Sequence, residues 1–271
     1  MSIRLLLQTG YTLSMARVFV TGSADGLGKK AAEHMVVAGH KVVLHARNEQ
    51  RAAVARSSIP GAEAVVIGDL SSIEATREVA SQVNRLGAFD AVIHNAGMGY
   101  RERHRTATVD GLPNVFAVNS LAPYILTVLI NKPKRLVYVS SGMHHGAEPE
   151  LDDLAWTHRG WSGARAYAES KLHDVILAFA VARKWPDVLS NALEPGWVPT
   201  KMGGRGAPDD LDAGSRTQVW LATSDERAAK VTGGYFYHLK PREPNPTAAD
   251  KSIQERFLAE CDRLSGIRFP D

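Results

Sequence analysis

Tyr167 and Lys171 stand four residues apart in Tyr167-Ala168-Glu169-Ser170-Lys171, at the head of a stretch whose apolar residues keep helical spacing. At i and i+4 they share a helix face. An ammonium there stabilises phenolate and brings a tyrosine hydroxyl within reach of proton transfer near neutrality. Alone, such a pair is ordinary surface decoration. Order in the chain gives it weight: Ser140-Ser141 precedes it at the end of a β-branched run, and Pro195-Gly196-Trp197-Val198-Pro199-Thr200 follows at the end of another. A second kind of chemistry is written near the start. In Thr21-Gly22-Ser23-Ala24-Asp25-Gly26-Leu27-Gly28 the glycines let backbone approach a phosphate, and the helical pattern that follows offers unpaired N–H donors. The bland alternative is a tight turn with no ligand.

These groups need a scaffold that gathers strand ends. Short β-branched runs at 17–21, 41–45, 64–67, 91–94 and 136–139 alternate with helical stretches, and 188–193 and 234–237 add two more. The pattern predicts an α/β protein with a doubly wound parallel sheet of about seven strands. In such a sheet ligands sit beyond the carboxyl ends of the strands, so the motifs converge on one crevice. Residues 1–16 read as a loose leader and 17–271 as a single domain. Pro241, Pro244 and Pro246 interrupt the tail before Ala248 to Leu264 resumes helical spacing.

The 32 basic and 29 acidic residues of the 271 leave a net charge of only +3, scattered without the basic stripe that nucleic acid requires. No apolar run approaches the ~20 residues of a membrane span. The single cysteine, Cys261, cannot close an intramolecular disulfide, which fits a reducing compartment, the cytoplasm by default. His144-His145 lacks further ligands at metal spacing, so no metal is expected. His34 and His173 read as polar positions on helix faces.

The second strand ends His45-Ala46-Arg47, without the carboxylate that grips a ribose diol in NAD-binding folds. A guanidinium there suits a 2′-phosphate, so NADP(H) is preferred and NAD(H) possible. The lesser alternative for Arg47 is a solvated surface arginine, whereas Asp69 of Gly68-Asp69-Leu70 is equally at home as a cap for the next helix.

Together, Gly22-x-x-x-Gly26-x-Gly28, Asn95-Ala96-Gly97, Ser141, Tyr167-x-x-x-Lys171 and Pro195-Gly196 resemble the short-chain dehydrogenase/reductase family over Arg17 to Thr200. The resemblance implies a Rossmann fold and a hydride moved between nicotinamide and a carbonyl or alcohol. It implies that Ser141 holds the substrate oxygen, Tyr167 exchanges the proton, Lys171 assists and binds ribose, and Asn119 relays protons. It places Gly22, Ser23, Asp25, Gly26, Leu27 and Gly28 on the pyrophosphate, Asp69 and Leu70 at adenine, and Asn95, Ala96 and Gly97 on the ribose. Pro195, Gly196, Val198 and Thr200 then line the nicotinamide.

A long segment between Ser141 and Tyr167, holding Met143, His144, His145, Trp156 and Trp161, resembles the retinol-dehydrogenase-like branch that includes the WW-domain oxidoreductases. The stretch from Ile130 to Arg135 is shorter than that branch shows. Tyr100, Trp156, Trp161 and Trp197 point to an apolar or aromatic carbonyl, and Gly203, Gly204 and Gly206 to a lid over it. Family members commonly form homodimers or tetramers. Two alternatives remain open: an NADP(H)-binding sensor on the same fold, and a sugar-nucleotide epimerase or dehydratase, for which the ~70 residues after Thr200 are few.

Overall fold

The computed structural model describes residues 15–270. Of the expected leader, residues 1–14 lie outside that range. Strands β1 (Arg17–Val20), β2 (Lys41–Ala46), β3 (Ala64–Ile67), β4 (Ala91–His94), β5 (Arg135–Val139), β6 (Leu189–Glu194) and β7 (Tyr235–Tyr237) form a parallel sheet. Their order is β3-β2-β1-β4-β5-β6-β7, with one more strand beyond them, β8 (Lys240–Pro241), antiparallel to β7. Sequence reading missed β8 because prolines surround it. A two-residue edge strand is where a proline that cannot donate to a ladder is tolerated.

Helices cover both faces. On one lie α1 (Gly26–Val37), α2 (Glu49–Ser58) and α7 (Leu211–Thr223). The other carries α3 (Ile73–Arg85), α5 (Ala122–Leu129), α6 (Gly163–Lys184) and α8 (Lys251–Ser265), with the short α4 (Asn114–Phe116) leading into α5. Strands buried on both faces explain the unbroken apolar runs of β1, β2 and β4.

Caps set the helix starts. Asp25, Asn48, Ser72, Ser162 and Asp210 each accept an N–H from the first turn of the helix that follows. Between α4 and α5 the backbone widens into a π turn, Ala117–Leu121, that carries Asn119. The sheet order reverses at β1, between β2 and β4, and the crevice opens there.

Candidate active site

The glycine-rich turn is shaped from behind. Thr21 Oγ1 accepts the N–H groups of Asn95 (2.9 Å) and Ala96 (3.0 Å), joining the ends of β1 and β4. Gly22 has φ +64°, and a Cβ there would lie 2.7 Å from the Ala96 Cα, so glycine is required on both counts. Ser23 and Gly28 turn inward. Ser23 Oγ donates to Val20 O (2.9 Å) and accepts from His45 N (2.8 Å), while a Cβ at Gly28 would overlap the Asn95 side chain. Both residues build the turn without bordering the crevice. Gly22, Asp25, Gly26 and Leu27 do border it. Asp25 caps α1 and is paired with Lys201 (2.5 Å) and Arg51 (3.1 Å). The bond from Lys201, with Arg51 and the Gly26 N–H behind it, outweighs partial burial and lowers its pKa to about 2.

At the other end of the turn, His45 Nδ1 accepts from Gly22 N (3.0 Å) and Nε2 bonds Gly68 O (2.9 Å). Full burial lowers its pKa to about 4, so the ring is neutral and one tautomer meets both partners. Ala46, Arg47, Arg51, Asp69 and Leu70 line the crevice beyond it. Arg51, one helical turn after Arg47, escaped sequence reading because a lone arginine in a polar helix carries no signal. Asp69 accepts from Ser71 N (3.0 Å), and the cap of α3 is Ser72, not Asp69.

Helix α6 brings Tyr167 and Lys171 to the crevice, and both are buried. It is fastened to the end of β5: Ser140 Oγ donates to Lys171 O (2.6 Å), and Lys171 Nζ donates to Val139 O (2.8 Å) and to the Asp174 carboxylate (2.9 Å). The ammonium lies 5.9 Å from the centre of the Tyr167 ring, which meets Tyr100 edge-on at 5.7 Å. Ser141 faces the same space. Its Oγ accepts from Met143 N (3.3 Å), which leaves the hydroxyl proton free to donate.

Asn119 is brought near but not to the crevice. Its side chain accepts from Met98 N (2.7 Å) and donates to Met98 O (3.0 Å) and Ser170 Oγ (2.9 Å). With no exposed surface, it braces the segment after β4 against α6.

The remaining wall is Pro195, Gly196, Val198 and Thr200, followed by a folded segment that closes on the turn. Thr200 reaches to within van der Waals distance of a Cβ built at Gly26, and Lys201 pairs with Asp25. Trp197 N donates to Asp209 (2.5 Å) and its ring nitrogen to Gly203 O (3.0 Å). The segment expected to act as a lid is hydrogen-bonded on itself and reaches the glycine-rich turn. Gly97, Asn95 and Ala96 complete the near wall, and the crevice encloses about 1230 Å³. That exceeds the ~300–1,000 Å³ of a single small-molecule site.

Two expectations change, and His144 finds a role. Trp156 and Trp161 do not border the crevice; they meet edge-to-face at 5.2 Å behind Tyr167, with Arg159 over Trp156 at 3.7 Å, and serve packing. His173 is not on a polar face but buried, bonded to Ser120 Oγ (3.0 Å) and stacked on Phe257. His144 is buried between Ser141 O (2.8 Å) and Asn245 N (3.2 Å), where it ties the tail to the turn after β5. No cluster of metal-ligating side chains occurs among the described residues. No helix among them is long and apolar enough to cross a membrane.

Sequence reading also missed Glu194 and Arg242. They form an ion pair across the crevice floor, from residues 48 apart in sequence. Only the pairing of β6, β7 and β8 brings them together.

The donor set fits a nicotinamide dinucleotide. A helix N-terminus behind close-approach glycines suits pyrophosphate, guanidinium groups stand at one end, and an ammonium stands beside a phenol at the other. The model of the short chain dehydrogenase family matches residues 16–143. An uncharacterized oxidoreductase of Emericella nidulans is 45% identical, covering 94% of this chain and 99% of its own. Human retinol dehydrogenase 13 is 30% identical over 96% of this chain and 87% of its own. A crystal structure of an uncharacterized Mycobacterium paratuberculosis protein superposes with a TM-score of 0.82 at 26% identity, over 94% and 95% of the two chains. A metagenomic blue fluorescent protein in complex with NADPH shares the fold, with a TM-score of 0.67 at 18% identity over 83% and 97%. The chain belongs to the short-chain dehydrogenase/reductase family, on its retinol-dehydrogenase-like branch, and is an oxidoreductase of the NAD(P)(H)-binding class.

Proposed function

We propose that the protein is an NADP(H)-dependent carbonyl reductase or alcohol dehydrogenase in which Tyr167 exchanges the proton. The observation that carries this reading is that Ser141, Tyr167 and Lys171 border one crevice with the glycine-rich turn. When bound, the dinucleotide supplies or accepts the hydride.

The chain's residues do the rest. Ser141, with its acceptor side occupied by Met143 N, donates to the substrate oxygen. Tyr167 gives that oxygen its proton in reduction and takes it in oxidation. Lys171 keeps one proton for the ribose hydroxyls after bonding Val139 O and Asp174. Asn119 holds Met98 and Ser170 in place, and Thr200, on the crevice wall beside Gly26, would bond the carboxamide of a bound nicotinamide.

Preference for NADP(H) is supported by two guanidinium groups, Arg47 and Arg51, at the mouth beyond β2, with Ala46 where a carboxylate would repel a 2′-phosphate. Met98, Tyr100, Met143, Trp197 and Met202 form an apolar wall near Tyr167, which suits an apolar or aromatic carbonyl. The buried, unpaired Cys261 suits a reducing cytoplasm, and a homodimer or tetramer completes the reading.

Fluorescence titration with NADPH and NADH, followed by turnover on a panel of aromatic ketones and sugars, tests the cofactor and the substrate class. Tighter NADPH binding and preference for the ketones are expected. Sugars outperforming the ketones would overturn the substrate class, and tighter NADH would overturn the cofactor.

A further inference from the structure

Buried carboxylates are rare and costly unless paired. Asp174 is 2% exposed and Lys171 4%, and the two form an ion pair at 2.9 Å one turn beyond Tyr167 on the inner face of α6. The Lys171 ammonium therefore lies 2.9 Å from a carboxylate and 5.9 Å from the centre of the Tyr167 ring.

We propose that Asp174 is a positioning residue for the reaction, whose carboxylate fixes the Lys171 ammonium and offsets its charge, so that the Tyr167 hydroxyl keeps its proton for carbonyl reduction at higher pH. The inference rests on the assignment of Tyr167 and Lys171 made above. Its physics is simple. A lone ammonium stabilises phenolate, and a negative charge bonded to that ammonium opposes it in a region that water does not screen.

Other titratable groups near the pair do not supply this charge. Tyr138 on β5 bonds Thr127, and burial raises its pKa. His94 on β4 stacks on Tyr138 and is held neutral by burial, as is His173 beside Asp174 on α6. Burial also raises the Asp174 pKa, to about 6, against the pull of Lys171. For Lys171 burial works the other way, but Asp174 and Tyr167 outweigh it and its pKa stands above the ordinary lysine value. Both members of the pair are thus charged at pH 7.

The test is the pH dependence of kcat/KM for NADPH-driven carbonyl reduction in the wild type, Asp174→Asn and Tyr167→Phe. Asparagine keeps the shape and an oxygen for the ammonium but not the charge. Its alkaline limb is expected to move about one pH unit toward acid. A uniform fall in rate at every pH, with the limb unmoved, would make the role structural and overturn the proposal.

Should the variant not fold, Asp174→Ser, which also removes the charge, carries the same test: an alkaline limb moved toward acid is expected, and an unmoved limb overturns the proposal. Tyr167→Phe separates the two levels. Full turnover in that variant removes the functional assignment itself. Lost turnover there, with an unmoved limb in Asp174→Asn, removes only the part given to Asp174.

Discussion

Nδ1 of His45 accepts the Gly22 N–H at 3.0 Å, so an imidazole at the end of β2 holds the first glycine of the phosphate turn. That bond exists only while the ring is neutral. Burial keeps it so, and does the same for His94, His144 and His173, whose pKa values fall to about 3, 4 and 3.

Acid should therefore unfold the protein early. These bases have folded pKa values below the ordinary 6.5, so their stabilisation is complete above pH 6.5 and is lost as pH falls toward 4. A histidine with a folded pKa of about 4 costs about 2 kcal/mol at pH 5, and four together rival the whole stability of a domain. Urea unfolding from pH 8 to 5 should show a midpoint that drops steeply below 6.5. A constant midpoint across that range would mean that the rings are protonated in the fold.

Arg47→Ala and Arg51→Ala should each weaken NADPH about tenfold, the loss of one charge-assisted contact, and leave NADH unchanged. Equal losses for both cofactors in a titration would show that the arginines do not meet the 2′-phosphate.

Gly28→Ala would drive a methyl group into the Asn95 side chain and to 2.7 Å from Gly22 O. The cost is about 1–3 kcal/mol of overpacking, with weaker dinucleotide binding as the turn shifts. Thermal unfolding and NADPH titration of the variant check both, and wild-type values in each would show that the helix has room to move.

Arg159 grips both oxygens of Glu169 at 2.7 Å while lying over Trp156, so it staples the segment before α6 to the turn that carries Tyr167. Arg159→Ala leaves the buried Glu169 carboxylate with only the exposed Arg165, 3.9 Å away, and should cost roughly 3 kcal/mol. Denaturant unfolding measures this, and a loss below about 1 kcal/mol would place the pair among inconsequential surface bridges.

The parts of the site legible in the sequence are those set by local geometry. Tyr167 and Lys171 share a face because of helical spacing, and the strand ends carrying Gly22, Asn95, Ser141 and Pro195 converge because a parallel sheet aligns them. What escaped depends on which way a side chain turns or what meets it from afar. Ser23 and Gly28 belong to the glycine motif yet face inward, and Asn119 is consumed by Met98 and Ser170. Trp156 and Trp161 looked like substrate contacts because composition does not reveal that they pack behind Tyr167. Glu194 and Arg242 meet only through the last strands, and no local pattern announces Asp174 as the partner of Lys171.

Replacing the Tyr167 hydroxyl alone tests the central claim most directly. In Tyr167→Phe, turnover of any carbonyl that the wild type reduces should fall about 10²–10⁴-fold while NADPH binds as before. A phenylalanine variant that turns over at the wild-type rate would contradict the account.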